Sequence, residues 1–319
     1  MNITIITPAK RGDRSGNRAT ANRWATILRK LGHSPRTITQ YDGRPCDAML
    51  AIHAWRSADS ILRYRDAFPH SPLIVCLAGT DIYRFQKSHP EATHQSMRHA
   101  DSLVCLHDWV DRAIPKALRK KLHVIRQSAA PLKRRPPLRR HFEILVAGHL
   151  RDEKDPFRTA LATRLLTDSS RIQIAHFGKA HEPSYAKIAA REMRENPRYH
   201  WFDEVPRWKV RQQMSRARAM VISSRMEGGA NVVSEAIMAG LPILASKIDG
   251  NVGLLGEDYE GYYSVEDEKA LAVLLSRFET NPQFRKTLTR QIRRQQPKFT
   301  QRRELAEWRE LIKSITREA

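Results

Sequence analysis

Short apolar runs alternate with longer stretches in which apolar residues recur at helical spacing, and this alternation runs the length of the chain. In the first half, Ile3–Thr7, Ala48–His53, Leu73–Ala78 and Ser102–Leu106 have the length and composition of strands. Between them, Asn17–Leu31 and Ser57–Phe68 read as helices. In the first of these, Trp24, Ile27, Leu28 and Leu31 fall at i, i+3, i+4 and i+7 on one face. Trp24 is therefore a core residue. The pattern predicts βα units and a parallel sheet. It breaks at S-A-A-P-L-K-R-R-P-P-L-R-R, residues 128–140, where prolines and a Lys/Arg block mark a linker with solvated charges and no catalytic role. It then restarts with strands at Phe142–Ala147, Ile172–Phe177, His200–Phe202, Ala219–Ser223 and Pro242–Ser246, and with helices that include Pro156–Leu166 and Ser184–Asn196. The last helix, Gln301–Ile315, carries Leu305, Trp308, Leu311, Ile312 and Ile315 on one stripe that needs a packing partner. The organisation expected is an α/β domain over 1–132, a second over 133–299, and a helix at 300–319 that packs back on the first domain. A ligand pocket is expected between the two domains.

Composition adds little to the fold and more to the partners. The chain has 319 residues, enough for two separate cores. Its 56 Lys and Arg against 34 Asp and Glu give a formal charge of +22, which suits anionic partners. Arginines are spread along the chain with little aromatic interleaving and no nucleic-acid motif, so no nucleic-acid partner is expected. Cys46, Cys76 and Cys105 are odd in number and widely spaced, as reduced thiols in a cytoplasmic protein would be. No apolar stretch approaches membrane-spanning length, and the start M-N-I-T-I-I-T-P does not have the form of a signal peptide.

Candidate chemistry gathers at strand ends. Residues 223–240, S-S-R-M-E-G-G-A-N-V-V-S-E-A-I-M-A-G, lead from a strand through a glycine loop into a helix. Glycines permit close backbone approach, and a helix N-terminus offers free N–H groups and positive potential to a diphosphate. Glu227 and Glu235 stand eight positions apart, one before the helix and one inside it, placed to reach hydroxyls on either side of that diphosphate. The turn G-H-L-R-D-E-K-D-P, residues 148–156, supplies His149, Arg151 and Lys154. The loop T-P-A-K-R-G-D-R-S-G-N-R, residues 7–18, places Lys10, Arg11, Arg14 and Arg18 around Gly12, Gly16 and Asn17, which suits an anionic acceptor. Other polar residues close first-half strands: His53, Arg56 and Ser57 after one, Thr80 and Asp81 after the next, His107 after a third. No Ser/His/Asp or Cys/His arrangement and no D-x-D metal site can be read, so no metal and no cofactor are expected.

The segment from Glu227 to Glu235 resembles the E-x7-E signature of retaining-type glycosyltransferases of the GT-B fold, and 148–156 resembles that family's G-R-L-x-x-x-K-G turn. The resemblance implies an α/β protein of GT-B fold, two Rossmann-like domains facing an interdomain cleft. It implies that Glu227 contacts the donor sugar and Glu235 the nucleotide ribose. Gly228, Gly229, Ala230 and Asn231 would face the diphosphate, and Lys154 would contact the donor phosphates. His149 stands where the family usually has Arg, and Arg151 is the neighbouring cation that could replace it. Further pieces, among them S-G-N-R-A-T, Y-D-G-R-P-C-D, H-A-W-R-S-A, A-G-T-D-I-Y-R and E-M-R-E-N-P-R-Y, are similar to the selenosugar synthases of selenoneine biosynthesis over about residues 1–263. That resemblance implies attack by selenophosphate on the anomeric carbon of a UDP-sugar, UDP-N-acetylglucosamine being the expected donor, with loss of UDP and then phosphate. The acceptor contacts would be Lys10, Arg11, Arg14, Gly16, Asn17, Arg18, His53, Arg56, Thr80 and Asp81, and Glu227, Lys154 and Arg18 would carry the transfer. Two other readings stand beside it: a conventional GT-B glycosyltransferase with a saccharide or lipid acceptor, and a basic nucleic-acid-binding protein of degenerate glycosyltransferase fold.

Overall fold

The computed structural model describes residues 1–13 and 15–317 of the chain, so Arg14 of the basic first loop lies outside the described residues. The chain divides into two compact units, Met1–Gln127 with Gln301–Ala319, and Ser128–Thr300. Each is built on a six-stranded sheet whose paired strands are all parallel.

The first unit contains β1 (Asn2–Ile6), β2 (Ser34–Ile38), β3 (Ala48–Ile52), β4 (Leu73–Cys76), β5 (Ser102–Cys105) and β6 (Leu122–Val124), in the order β2-β1-β3-β4-β5-β6. β3, β4 and β5 are buried at every position, as central strands covered on both faces must be. One face packs under the helix Gly16–Lys30 through Trp24, Ile27 and Leu28. The C-terminal helix Gln301–Arg317 joins the same cluster through Trp308, Leu311, Ile312 and Ile315. Trp24 and Trp308 meet edge to face with ring centroids 4.8 Å apart. Cys76 and Cys105, at the ends of β4 and β5, are free and buried.

The second unit contains β7 (Phe142–Ala147), β8 (Ile172–Phe177), β9 (Tyr199–Trp201), β10 (Ala219–Ile222), β11 (Ile243–Ser246) and β12 (Tyr262–Tyr263), in the order β12-β11-β10-β7-β8-β9. One core runs from Ile144 and Ile174 through Val221, Val233 and Leu244 to Phe278 and Phe299. The Pro- and Arg-rich segment 128–140 departs from the solvated linker expected of it. Arg134 donates to the carbonyls of Met214 and Ala217, and the Arg135 N–H donates to the carbonyl of Ser215 at 2.9 Å. The cause is the end of the helix Arg207–Arg216, whose last carbonyls need donors that the helix itself does not supply. Among the described residues no helix is long and apolar enough to cross a membrane.

In each sheet the connections reverse direction at one place: between β1 and β3 in the first unit, and between β7 and β10 in the second. In open parallel sheets the crevice outside the strand carboxyl ends at such a reversal is where ligands bind.

Candidate functional site

At the reversal of the second unit, β7 runs into Gly148 and the turn that carries Lys154. His176 on β8 holds this turn: its Nε2–H donates to the Gly148 carbonyl at 3.1 Å, and its Nδ1 accepts from the Tyr199 hydroxyl at 2.8 Å. Burial pushes the His176 pKa down to about 4, so the ring is the neutral tautomer this pattern requires. The turn closes at Asp155, whose φ of 44° is left-handed. Ser223 at the end of β10 locks it there, its hydroxyl lying 3.1 Å from the Lys154 carbonyl and 2.8 Å from that of Asp155. Arg225 ties the two loops together, its Nη1 donating to Asp152 Oδ1 at 2.7 Å and its Nε to Glu266 Oε1 at 2.6 Å.

This framework brings Lys154 and Glu227 into an ion pair across the reversal. The Ser224 hydroxyl donates to the same Glu227 Oε1 at 2.6 Å, and Ser246 in turn donates to the Ser224 carbonyl at 2.6 Å. Glu227 is 8% exposed, and the chain beneath it is pressed against Gly250. A Cβ on Gly250 would lie 2.2 Å from the Glu227 carbonyl oxygen and 2.8 Å from its Cβ, so only glycine fits. Beyond Glu227, Gly229 has φ 119°, open to glycine alone among residues without strain. The chain then enters the helix Asn231–Met238, which has neither a side-chain cap nor an acidic residue in its first turn, leaving its first amides free. Glu235, in its second turn and 8% exposed, accepts from Arg207 Nε at 2.9 Å through Oε1. Arg207 also donates to that oxygen through Nη2.

Gly148, His149, Lys154, Ser223 and Ser224 line a small pocket at this reversal. His149 faces it while its Nδ1 accepts from the Lys179 N–H at 3.1 Å, and burial with the neighbouring His181 lowers its pKa. Arg151 pairs with Glu153 at 3.9 Å. Gly228 and Ala230 flank Gly229 in the loop ahead of the helix, and Asn231 opens it. Ser224 lies in the 223–240 segment without a role read from it, and Arg207 and Gly250 lie outside any motif in the sequence. They matter because Ser224 and Gly250 position Glu227, and Arg207 positions Glu235.

At the reversal of the first unit, the loop after β1 folds into a turn in which the Lys10 N–H donates to Asp13 Oδ2 at 2.7 Å and Gly12 has φ 93°. Ser15 caps the helix Gly16–Lys30, accepting from the Arg18 N–H at 3.4 Å. Lys10 and Arg11 are exposed, Arg18 is half-buried, and none of the three is ion-paired among the described residues. Gly16 and Asn17 form the first turn of that helix. His53 and Arg56 follow β3, and Thr80 and Asp81 follow β4, the neighbouring strand. Asp81 and His53 are both buried and pair at 2.7 Å, so the partner of Asp81 is an imidazole and three backbone amides rather than an arginine.

The family model for glycosyl transferases group 1 matches residues 132–295. A Xenopus tropicalis protein described as glycosyltransferase 1 domain-containing protein 1 is 25% identical over 156 residues, 48% of this chain, and the match spans 44% of that relative's length. Among solved structures, a sucrose-phosphate synthase from Thermosynechococcus elongatus superposes over 100% of both chains with a TM-score of 0.81 at 14% identity. Anabaena HepE in complex with UDP superposes over 98% of this chain and 100% of its own with a TM-score of 0.77, also at 14% identity. The fold is the GT-B fold, and the chain belongs to the glycosyl transferases group 1 family.

Proposed function

From that membership we propose that the protein transfers a sugar from a UDP-sugar, UDP-N-acetylglucosamine, to selenophosphate, releasing UDP and then phosphate. The observation that carries the donor half is the convergence of Lys154, Glu227 and Glu235 around free helix amides at the sheet reversal. Solved structures of HepE with UDP and with UDP-glucose support a UDP-sugar donor. Glu235 offers its second oxygen to the ribose while Arg207 holds the first. The amides of 229–231 receive the diphosphate. Lys154, which pairs with Glu227, serves the leaving phosphate, with His149 beside it in place of an arginine. Fixed positive charge there stabilises the diphosphate as the glycosidic bond breaks. Glu227 then accepts from the sugar hydroxyls.

For the acceptor half, the cations Lys10, Arg11 and Arg18, which make no ion pair among the described residues, and Arg56 after the neighbouring strand β3 suit a small polyanion. A neutral saccharide would not need them. Positioning selenium against the anomeric carbon supplies the main rate gain, because an anionic selenium is already a nucleophile. The likeness to a sucrose-phosphate synthase favours a second reading, transfer to a saccharide hydroxyl.

Purified protein with UDP-N-acetylglucosamine tests both. UDP should be released when selenophosphate is added, with a selenium-containing sugar seen by mass spectrometry. UDP release that answers only to a saccharide acceptor would move the assignment to the second reading. No release with either would end the transferase proposal.

A further inference from the structure

At the carboxyl edge of the first sheet, three side chains stand in line. Asp81 is fully buried. Its Oδ2 accepts from the N–H groups of Ala54 at 2.8 Å and Ala78 at 2.9 Å, and its Oδ1 accepts from Trp55 N–H at 3.0 Å. Oδ1 also lies 2.7 Å from His53 Nδ1. Oδ1 is the nearest acceptor to His53 Nδ1, so the contact is read with the imidazole proton on Nδ1, donated to the carboxylate. The Arg56 N–H, 3.2 Å from Nδ1, is the longer contact and yields to the carboxylate. Nε2 is left as an acceptor, with the Thr80 hydroxyl 3.1 Å away. His53 and Asp81 are buried and Thr80 is half-exposed, so the line opens to solvent only at the threonine.

Two uncommon backbone features meet at this trio. His53 has φ 79°, a left-handed conformation that residues other than glycine adopt only under strain. A π-helical turn, Asp81–Phe85, begins at the carboxylate, and such turns recur at functional sites. Trp55 stacks on Phe85 at 4.1 Å between centroids, and the guanidiniums of Arg56 and Arg84 lie 5.8 Å and 5.7 Å from the rings of Trp55 and Phe85. The rings of Trp55 and Phe85 lie 6.3 Å and 5.6 Å from that of His53, so both cations belong to the surroundings of the imidazole.

We propose that Thr80, His53 and Asp81 form a proton relay that activates the water which removes phosphate from selenium after sugar transfer. The step rests on the function proposed above. Sugar transfer itself needs no base, since selenophosphate selenium is already anionic. Phosphate removal does need one, because its nucleophile is water. The water oxygen attacks phosphorus and the P–Se bond breaks, selenium keeping the electron pair as the sugar selenolate. The water gives a proton to the Thr80 oxygen as Thr80 gives its own to His53 Nε2. Inorganic phosphate leaves, and the imidazolium, stabilised by Asp81, returns the proton to solvent or to the selenolate.

The test measures UDP and phosphate in the same early time points, with the full chain, UDP-N-acetylglucosamine and selenophosphate. The wild type should release one phosphate per UDP. Thr80→Val, which removes only the hydroxyl, should lower the phosphate-to-UDP ratio by about tenfold or more, in line with the loss of general-base assistance. The mass of a phosphorylated selenosugar should accumulate. Thr80→Ser should restore the ratio. His53→Asn, a residue that tolerates positive φ, should behave as Thr80→Val does. The ratio is informative whatever either variant does to the rate of UDP release. A ratio that stays at one in both variants overturns the relay and leaves the function reading standing. A wild type that releases no UDP with selenophosphate overturns the function reading and this step with it.

Discussion

Gly250 shows how a residue with no side chain sets the chemistry of one with a charge. The backbone of Glu227 occupies the space a Cβ at 250 would need, with the carbonyl oxygen 2.2 Å from that position. Neither contact is the end of a flexible side chain, so Gly250→Ala must move the Glu227 loop or the helix Asp249–Leu255. We expect a loss of about 1–3 kcal/mol in chemical denaturation, the range for overpacking a tight site. UDP-sugar affinity should fall by calorimetry along with it. Glu235→Ala should behave differently. Its partner Arg207 is 63% exposed and survives the loss of the pair, so stability should change by less than about 1 kcal/mol. Affinity for UDP should drop by about tenfold or more, the worth of a hydrogen bond to a charged acceptor. Unchanged UDP affinity would remove Glu235 from the nucleotide site. Much of this site is legible in the sequence because Lys154, Glu227 and Glu235 sit in contiguous strand-end segments with local signatures. Gly250, Ser224 and Arg207 are not, since what they touch is decided by packing. Thr80, His53 and Asp81 are each legible as polar residues at strand ends, but their contact is not: 27 positions separate Thr80 from His53 in the chain, and only the pairing of β3 with β4 joins them.

At the scale of elements, the pH response of the two sheets follows from one buried histidine in each. His107, after β5, and His176, on β8, are both held near a pKa of about 4 by burial, below the ordinary 6.5. The unfolded chain therefore binds protons between those values that the folded chain refuses. Stability is full above pH 6.5 and is lost as pH falls toward 4, by up to about 1.4 kcal/mol per pH unit for each group. The melting temperature should fall between pH 7 and pH 5, and His176→Gln should flatten part of that fall. The C-terminal helix is open to an independent test. Trp308 is fully buried against Trp24, so Trp308→Ala should cost about 3–5 kcal/mol in denaturant unfolding of the first unit. A small cost would mean the helix contributes little to that core. Elements were legible wherever a strand is central. The runs at 142–147 and 172–177 match β7 and β8, and β1, β3, β4, β5, β9, β10 and β11 differ from their expected bounds by a residue or two. β2, β6 and β12 gave no signal. S-P-R-T-I and L-H-V are outer strands with no fully buried position, and β12 is only Tyr262–Tyr263. β2 and β6 bury too little to need an apolar run and β12 is too short to show one, so no hydrophobic pattern marks them.

Across the whole molecule, a charge of +22 gives two kinds of anion binding that salt separates. Exposed arginines attract any polyanion, nucleic acid included, through long-range potential and counterion release, and that attraction decays as the Debye length shrinks from about 10 Å at 0.1 M salt to about 3 Å at 1 M. The proposed nucleotide site works at short range, through partly buried Lys154, Glu235 and helix amides, where salt screens far less. Ligand stabilisation grows as RT ln(1 + [L]/Kd), so UDP at about 100 times its Kd should add about 2.7 kcal/mol. In melting experiments, the UDP-induced rise should therefore persist from 50 mM to 500 mM sodium chloride. Stabilisation or gel shift by an arbitrary oligonucleotide should collapse over the same range. The unliganded protein should itself melt higher as salt rises, because screening relieves repulsion among its cations. If UDP gave no rise at any salt while oligonucleotide binding stayed tight at 500 mM, the basic surface would be the functional one, and the chain would be a nucleic-acid binder on a glycosyltransferase fold.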